Sequence, residues 1–463
     1  MNITSNVFLF LFLPVVLFLY LIVGKRWLRN GLLLMASLFF YAWGEPENIL
    51  VLFSLAGINY LLAYIQAGTE GRSRKKMLLT GAIVLNLMVL LYYKYLLFFA
   101  SFFPQPLQGN LNAMAASSLP LGISFFTFKI ISYQVDVYRE KRLGRYSFLN
   151  FLFYVSFFPQ VTSGPITRFE SVNDQLHARK VTKEGFAMGT QRIMLGFAKK
   201  MIIANQTAIV ANAAYSLDGQ LTMPMAWLGS LAFTLQLYFD FSGYSDIAIG
   251  LGKLFGFETS ENFNYPYIAT SVQDFWRRWH ISLSTWFRDY VYIPLGGNRC
   301  PRYRVCINTV VVFALTGLWH GASWTFIVWG LYYAGFLILE RVGLNLTLKK
   351  LPKPICWIYT FLVINIGWIF FRAETLSQAA NYISALIGST AGGWTQILQN
   401  VTLESVTAML CGMVAAFPVW SGVRATLDKK LPGMSVALTV ALFVIAILYM
   451  AGGDFSPFLY VQF

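Results

Sequence analysis

The chain has 463 residues, 57% of them hydrophobic and 12% charged, with a mean hydropathy of +0.57. Ordinary globular domains carry roughly 25% charged residues, so a soluble domain is excluded. Solid apolar runs near the ~20 residues that span a bilayer recur from end to end. They predict an all-α polytopic membrane protein and not a barrel, which would alternate. The net charge of +15 fits Lys and Arg retained in cytoplasmic loops, so no nucleic-acid partner is expected. Cys300, Cys306, Cys356 and Cys411 form no C-x-x-C pair, and neither a disulfide nor a metal site is expected.

In chain order, Val7 to Val23 lacks a basic leader and a small-residue cleavage site, and reads as a retained first helix. Lys25, Arg26 and Arg29 follow it, which places the N-terminus outside. Spans follow at about Ile49 to Gln66, Met77 to Phe103 and Pro120 to Val137, with basic clusters alternating accordingly. Phe148 to Val161 is too short to cross and is flanked on both sides by basic residues. Pro159 and Gly164-Pro165 break it, so it reads as a re-entrant segment, tolerated only where protein or water lines it.

Gly185 to Ala213 and Trp227 to Gly250 read as spans. Gly252 to Arg304, rich in Trp, Arg, Asn and Asp, reads as amphipathic helices at the cytoplasmic interface. Val305 to Trp319 and Ser323 to Leu339 form an apolar pair bounded by basic residues, with His320 at the turn. The first arm is roughly 22 Å of helix, short of a ~30 Å core, so His320 belongs within the membrane. Three more spans lead to an outside tail, residues 452–463. The total is roughly ten to twelve spans in one membrane domain, 1–463, without a soluble domain.

The chain has three histidines. An ionisable group inside an apolar run is costly and marks a candidate functional site. His320, between Trp319 and Trp324, reads either as packing glue between helices or as a general base in a narrow channel walled by those two rings. His280 closes Asp274-Phe275-Trp276-Arg277-Arg278-Trp279-His280. On a helix Trp276, Trp279 and His280 share a face. That segment is either an interfacial aromatic belt or a cytoplasmic mouth where Arg277 and Arg278 grip phosphates. His177, among Arg179, Lys180 and Lys183, reads as a solvated loop residue. Asp240 reads as the structural partner of a neighbouring arginine or as a substrate contact. There is no nucleophile elbow and no P-loop, and Gly250 to Gly256 only approximates a dinucleotide loop.

Several segments together resemble the membrane-bound O-acyltransferase (MBOAT) family. They are Pro120 to Phe128, Phe158-Pro159-Gln160, Ser163-Gly164-Pro165-Ile166, Asp240 to Asp246, Asn262 to Tyr267, Phe275 to Ser284 and Leu318 to Gly321. The match is densest over 120–333 and is closest to the bacterial branch serving alginate O-acetylation, peptidoglycan O-acetylation and teichoic-acid D-alanylation. The resemblance implies a ring of tilted helices around a thin centre crossed by a tunnel, in a bacterial inner membrane. It implies His320 as the invariant histidine and His280 as the second one. It also implies a cytoplasmic acyl thioester donor, acetyl-CoA or a charged carrier, without a bound cofactor. A separate extracytoplasmic esterase-like protein would move the acyl group to polysaccharide. The tail around Ser456 to Phe463 resembles an aromatic motif of the branch, in which Tyr460 is a possible acyl relay; as a bare sequence it is equally a belt anchor. Outside the resemblance, a precursor transporter using His320 as a proton relay, or a membrane scaffold, remains open.

Overall fold

The computed structural model describes residues 1–114, 119–452 and 458–459, and the described residues fold entirely as helices, turns and loops. Among the described residues, six helices are long and apolar enough to cross a membrane: Ile49–Gly68, Arg72–Ala100, Lys183–Ser216, Trp324–Leu348, Lys353–Arg372 and Met434–Ala451. The pair Gly393–Asn400 and Leu403–Ala415, bent by 95°, makes a seventh if it is one span. The remaining runs of the ten to twelve read from sequence form shorter or more polar helices. Phe8–Ile22 is one. Arg302–His320 is another, with two arginines in its first turn.

The chain divides into two compact units. One comprises Met1–Ile193 with Ala248–Ser260, the other Met194–Ile247 with Glu261–Phe463. In the first, side-chain amides tie three apolar helices together. Asn59 and Asn86 exchange bonds of 3.1 and 2.7 Å, and Gln134 donates to the Asn59 carbonyl at 2.7 Å. Such bonds substitute for the hydrophobic drive that lipid removes. The break expected around Pro159 and Gly164-Pro165 is present. The helix Phe148–Ser156 stops, and the chain turns through 157–164 with every residue buried. Lys129, itself buried, donates to the Tyr154 carbonyl at 3.0 Å and to Gln160 Oε1 at 3.1 Å. Its ammonium therefore satisfies acceptors of this broken backbone.

The second unit is organised by the hairpin of Arg302–His320 and Trp324–Leu339. A Cβ on Gly317 would lie 2.2 Å from the Phe326 carbonyl oxygen, and one on Gly330 would lie 2.2 Å from that of Phe313. Only glycine permits this approach, the small-residue packing that brings membrane helices together. Lys353–Arg372 packs beside the hairpin, and Trp329, Tyr333 and Trp368 are fully buried in the shared core.

The stretch expected to lie as interfacial helices is more broken than that. It contains Val272–Arg278, Ile281–Phe287 and one wide helical turn, Arg288–Tyr292. The shared face of Trp276, Trp279 and His280 does not form, because the helix ends at Arg278. Trp279 is extended, and His280 takes the left-handed conformation (φ 43°, ψ 56°). Non-glycine residues adopt that conformation uncommonly, and it tends to mark functional positions.

Candidate active site

Both histidines line one cavity of about 890 Å³ in the second unit, at the upper end of small-molecule sites. His320 is the last residue of Arg302–His320 and His280 precedes Ile281–Phe287; they are 3% and 1% exposed. Arg277, Arg288, Arg302 and Arg341 also line the cavity, and all four are exposed. The cavity therefore has a cationic mouth and an imidazole interior. Arg288 pairs with Asp289 at 2.7 Å, whereas Arg277 and Arg302 have no carboxylate partner among the described residues.

Beside the cavity, His320 packs against four rings. Trp319, Trp329 and Phe371 lie 4.9, 5.0 and 5.1 Å away by centroid, and Phe326 lies 6.2 Å away. Gly321 follows, and a Cβ there would sit 2.3 Å from the Phe326 ring. The glycine in Trp319-His320-Gly321 thus lets the helix end flat against that ring.

His280 has a defined tautomer. Its Nδ1 lies 3.1 Å from Asn262 Oδ1, which also accepts from the Ser282 backbone N–H at 3.2 Å and from the Ser282 hydroxyl at 2.9 Å. An atom accepting from a backbone N–H is the amide oxygen, so His280 Nδ1 carries the proton. In the neutral ring Nε2 then holds the lone pair. Burial pushes the His280 imidazole below its ordinary value, to about 3, so the ring is neutral at physiological pH.

The other sequence candidates separate. Trp276 lines the cavity against Phe313, Trp329 and Tyr333. Its indole N–H is buried without a hydrogen-bond partner among the described residues. Arg278 is outside the lining and holds Asp274 through both carboxylate oxygens at 3.0 Å. Trp319 is buried between the two imidazoles, its centroid 6.4 Å from His280. Trp324 is 53% exposed and outside the lining, so the two tryptophans do not form a matched wall. Asp240 is also outside the lining. It forms a buried ion pair with Lys200 at 2.6 Å, and its second oxygen accepts the Leu459 backbone N–H at 2.8 Å. Phe458 beside it is fully buried, edge-on to Tyr244 at 5.0 Å and 4.9 Å from the Lys200 ammonium. Tyr460 lies outside the described residues. His177 is exposed as expected, but it lies in the last turn of the helix Phe169–Ala178 and not in a loop.

A family model described as "MBOAT, membrane-bound O-acyltransferase family" matches residues 49–375. The chain belongs to this family. It is an acyltransferase, and His280 and His320 both fall inside the matched stretch. "Probable alginate O-acetylase AlgI" of Pseudomonas aeruginosa is 44% identical over 430 residues, covering 89% of this chain and 80% of that protein. The protein of the same name in Pseudomonas putida is 39% identical and covered over 99% of both chains. "Peptidoglycan O-acetyltransferase" of Helicobacter pylori is 36% identical, covering 83% of this chain and 79% of its own length.

The motif Asn262 to Tyr267 gives Asn262 no role from sequence alone, and no local pattern marks Lys200, Arg288, Arg302 or Arg341 as part of a site. Glu340 had a usable signal, since it is a lone carboxylate directly after the apolar run that ends at Leu339.

Proposed function

We propose that this acyltransferase takes an acetyl group from a cytoplasmic thioester and passes it across the bacterial inner membrane for ester formation on an extracytoplasmic polysaccharide such as alginate. The observation that carries this reading is the cavity, with two buried imidazoles inside and arginines at its mouth. Guanidinium groups match phosphate geometry, so the nucleotide end of acetyl-CoA rests at Arg277 and Arg302 and its acyl arm points inward. The Trp276 N–H is placed to donate to an acyl carbonyl oxygen, where negative charge develops during attack.

The chemistry is proton transfer and substitution at one carbonyl. An acceptor hydroxyl adds to the thioester carbon as His320 takes its proton. The tetrahedral adduct then expels the thiolate, the C–S bond breaks, and the His320 imidazolium protonates the leaving sulfur. The products are an ester and a free thiol, and the imidazole is regenerated. His280 Nε2 accepts a hydrogen bond from the acceptor or relays its proton, held in register by Asn262. The relatives' names, which specify O-acetylation of alginate and peptidoglycan, support acetyl as the acyl group and a polysaccharide as its final destination. Tyr460, next to the seated Leu459, is the proposed acceptor hydroxyl in this chain. A separate extracytoplasmic transferase then moves the acetyl group to sugar.

The test is ester-linked acyl content of surface polysaccharide in a deletion strain complemented with the wild-type chain or with His320→Ala at equal membrane level. Restoration by wild type alone supports the reading, and the released acid identifies the acyl group. Equal restoration by both makes His320 packing glue.

A further inference from the structure

Glu340 is a carboxylate only 1% exposed, directly after the hairpin helix Trp324–Leu339. It has no cationic partner among the described residues. Its oxygens instead accept two successive backbone N–H groups, Val272 to Oε1 at 2.6 Å and Gln273 to Oε2 at 3.0 Å. The Tyr359 hydroxyl adds a bond at 3.4 Å. Val272 and Gln273 are the first two residues of the helix Val272–Arg278. The next two amides are taken by Ser271, through its hydroxyl for Asp274 and its carbonyl for Phe275. The otherwise unpaired N–H groups of Val272, Gln273 and Asp274 at that helix start are thereby satisfied, and the anion lies at the positive end of the helix.

This clamp joins the two elements that bear the histidines. The hairpin presents His320, and Val272–Arg278 leads into the turn that presents His280, with Trp276 and Arg277 on the way. We propose that Glu340 is a positioning residue for acyl transfer, locking the helix that carries Trp276 and Arg277 and leads into His280 to the hairpin that carries His320. From Val272 at the clamp to Arg278 at the helix end is six steps, about 9 Å at ~1.5 Å per residue. A tilt of about 6° at the clamp therefore moves the end of the helix that leads into His280 by about 1 Å, enough to lower a rate about a hundredfold. The inference rests on the reading of the two histidines as reaction groups.

The experiment uses purified full-length protein in detergent, with acetyl-CoA as probe. Thioester cleavage is measured for wild type, Glu340→Gln, Glu340→Asp, His280→Ala and His320→Ala, each with its thermal midpoint. Glutamine keeps the size but has one acceptor and turns an NH2 toward a backbone N–H. The expected result is a kcat lowered roughly ten- to a hundredfold in Glu340→Gln, with a much smaller change in KM and a near-normal folded fraction. Aspartate, which keeps the charge, recovers part of the loss. In the residual activity of His280→Ala, adding Glu340→Gln has a smaller effect than it has in the wild-type chain, because part of the clamp's action runs through that residue. Unchanged kcat in Glu340→Gln overturns the proposal, as does a loss that follows the folded fraction alone. If both histidine variants keep full activity, the site reading itself fails, which is a separate outcome.

Discussion

Replacing Asn262 by alanine tests the arrangement around His280 most directly. Asn262 is fully buried; its oxygen serves the His280 ring, the Ser282 amide and the Ser282 hydroxyl, and its NH2 donates to Ser245 at 3.1 Å. The hydroxyl can rotate to another acceptor, but the ring N–H and the amide cannot. Two stranded buried donors cost about 1–3 kcal/mol each, or about 2–6 kcal/mol together. The freed imidazole can also rotate and exchange tautomers, which removes the defined lone pair on Nε2. A displacement of about 1 Å lowers the rate about a hundredfold, equivalent to about 2.7 kcal/mol of barrier. The assay is acetyl-CoA cleavage by the purified chain, together with surface ester content at matched membrane level and a thermal midpoint. Asn262→Ala is expected to lose activity about a hundredfold and to melt earlier. Asn262→Asp, which keeps an acceptor in place, should retain more of both. Wild-type turnover in Asn262→Ala, in a preparation where His280→Ala is inactive, would refute the assignment of tautomer and role.

Two further expectations concern packing and pH. Gly317→Ala or Gly330→Ala puts a Cβ 2.2 Å from a facing carbonyl oxygen, so the hairpin backbones must separate, at about 1–3 kcal/mol for overpacking. Earlier melting and lost ester formation would appear together, and a fully stable, active Gly317→Ala would contradict the contact. Burial lowers the His280 pKa from 6.5 to about 3, so below 6.5 the unfolded chain binds a proton that the folded chain refuses. This contribution to stability is whole above 6.5 and is lost as pH falls toward 3. His280→Gln should therefore flatten the acid side of the stability curve, and an identical acid side would count against a buried neutral ring.

The parts legible in the sequence were those whose signal is local. An imidazole between tryptophans in an apolar run must be buried, and Pro159 with Gly164-Pro165 must break a helix; both features are present. Of the two arginines within helical reach of Asp274, three and four residues on, Arg278 pairs with it. Partnerships across long separations were not legible. Burial of Asp240 implies a cation, but nothing local selects Lys200, and nothing near Glu340 points to amides 68 and 67 residues earlier. The left-handed turn at His280 was also hidden, because the aromatic-rich sequence before it is compatible with a continuing helix.

The seat formed by Lys200, Asp240 and Tyr244 for Phe458 and Leu459 has a thermodynamic consequence. Seat and occupant belong to one chain, so the occupant is present at an effective concentration on the order of millimolar, whatever the amount of protein in the membrane. One buried ring and one backbone hydrogen bond suffice to keep such a tethered segment mostly docked.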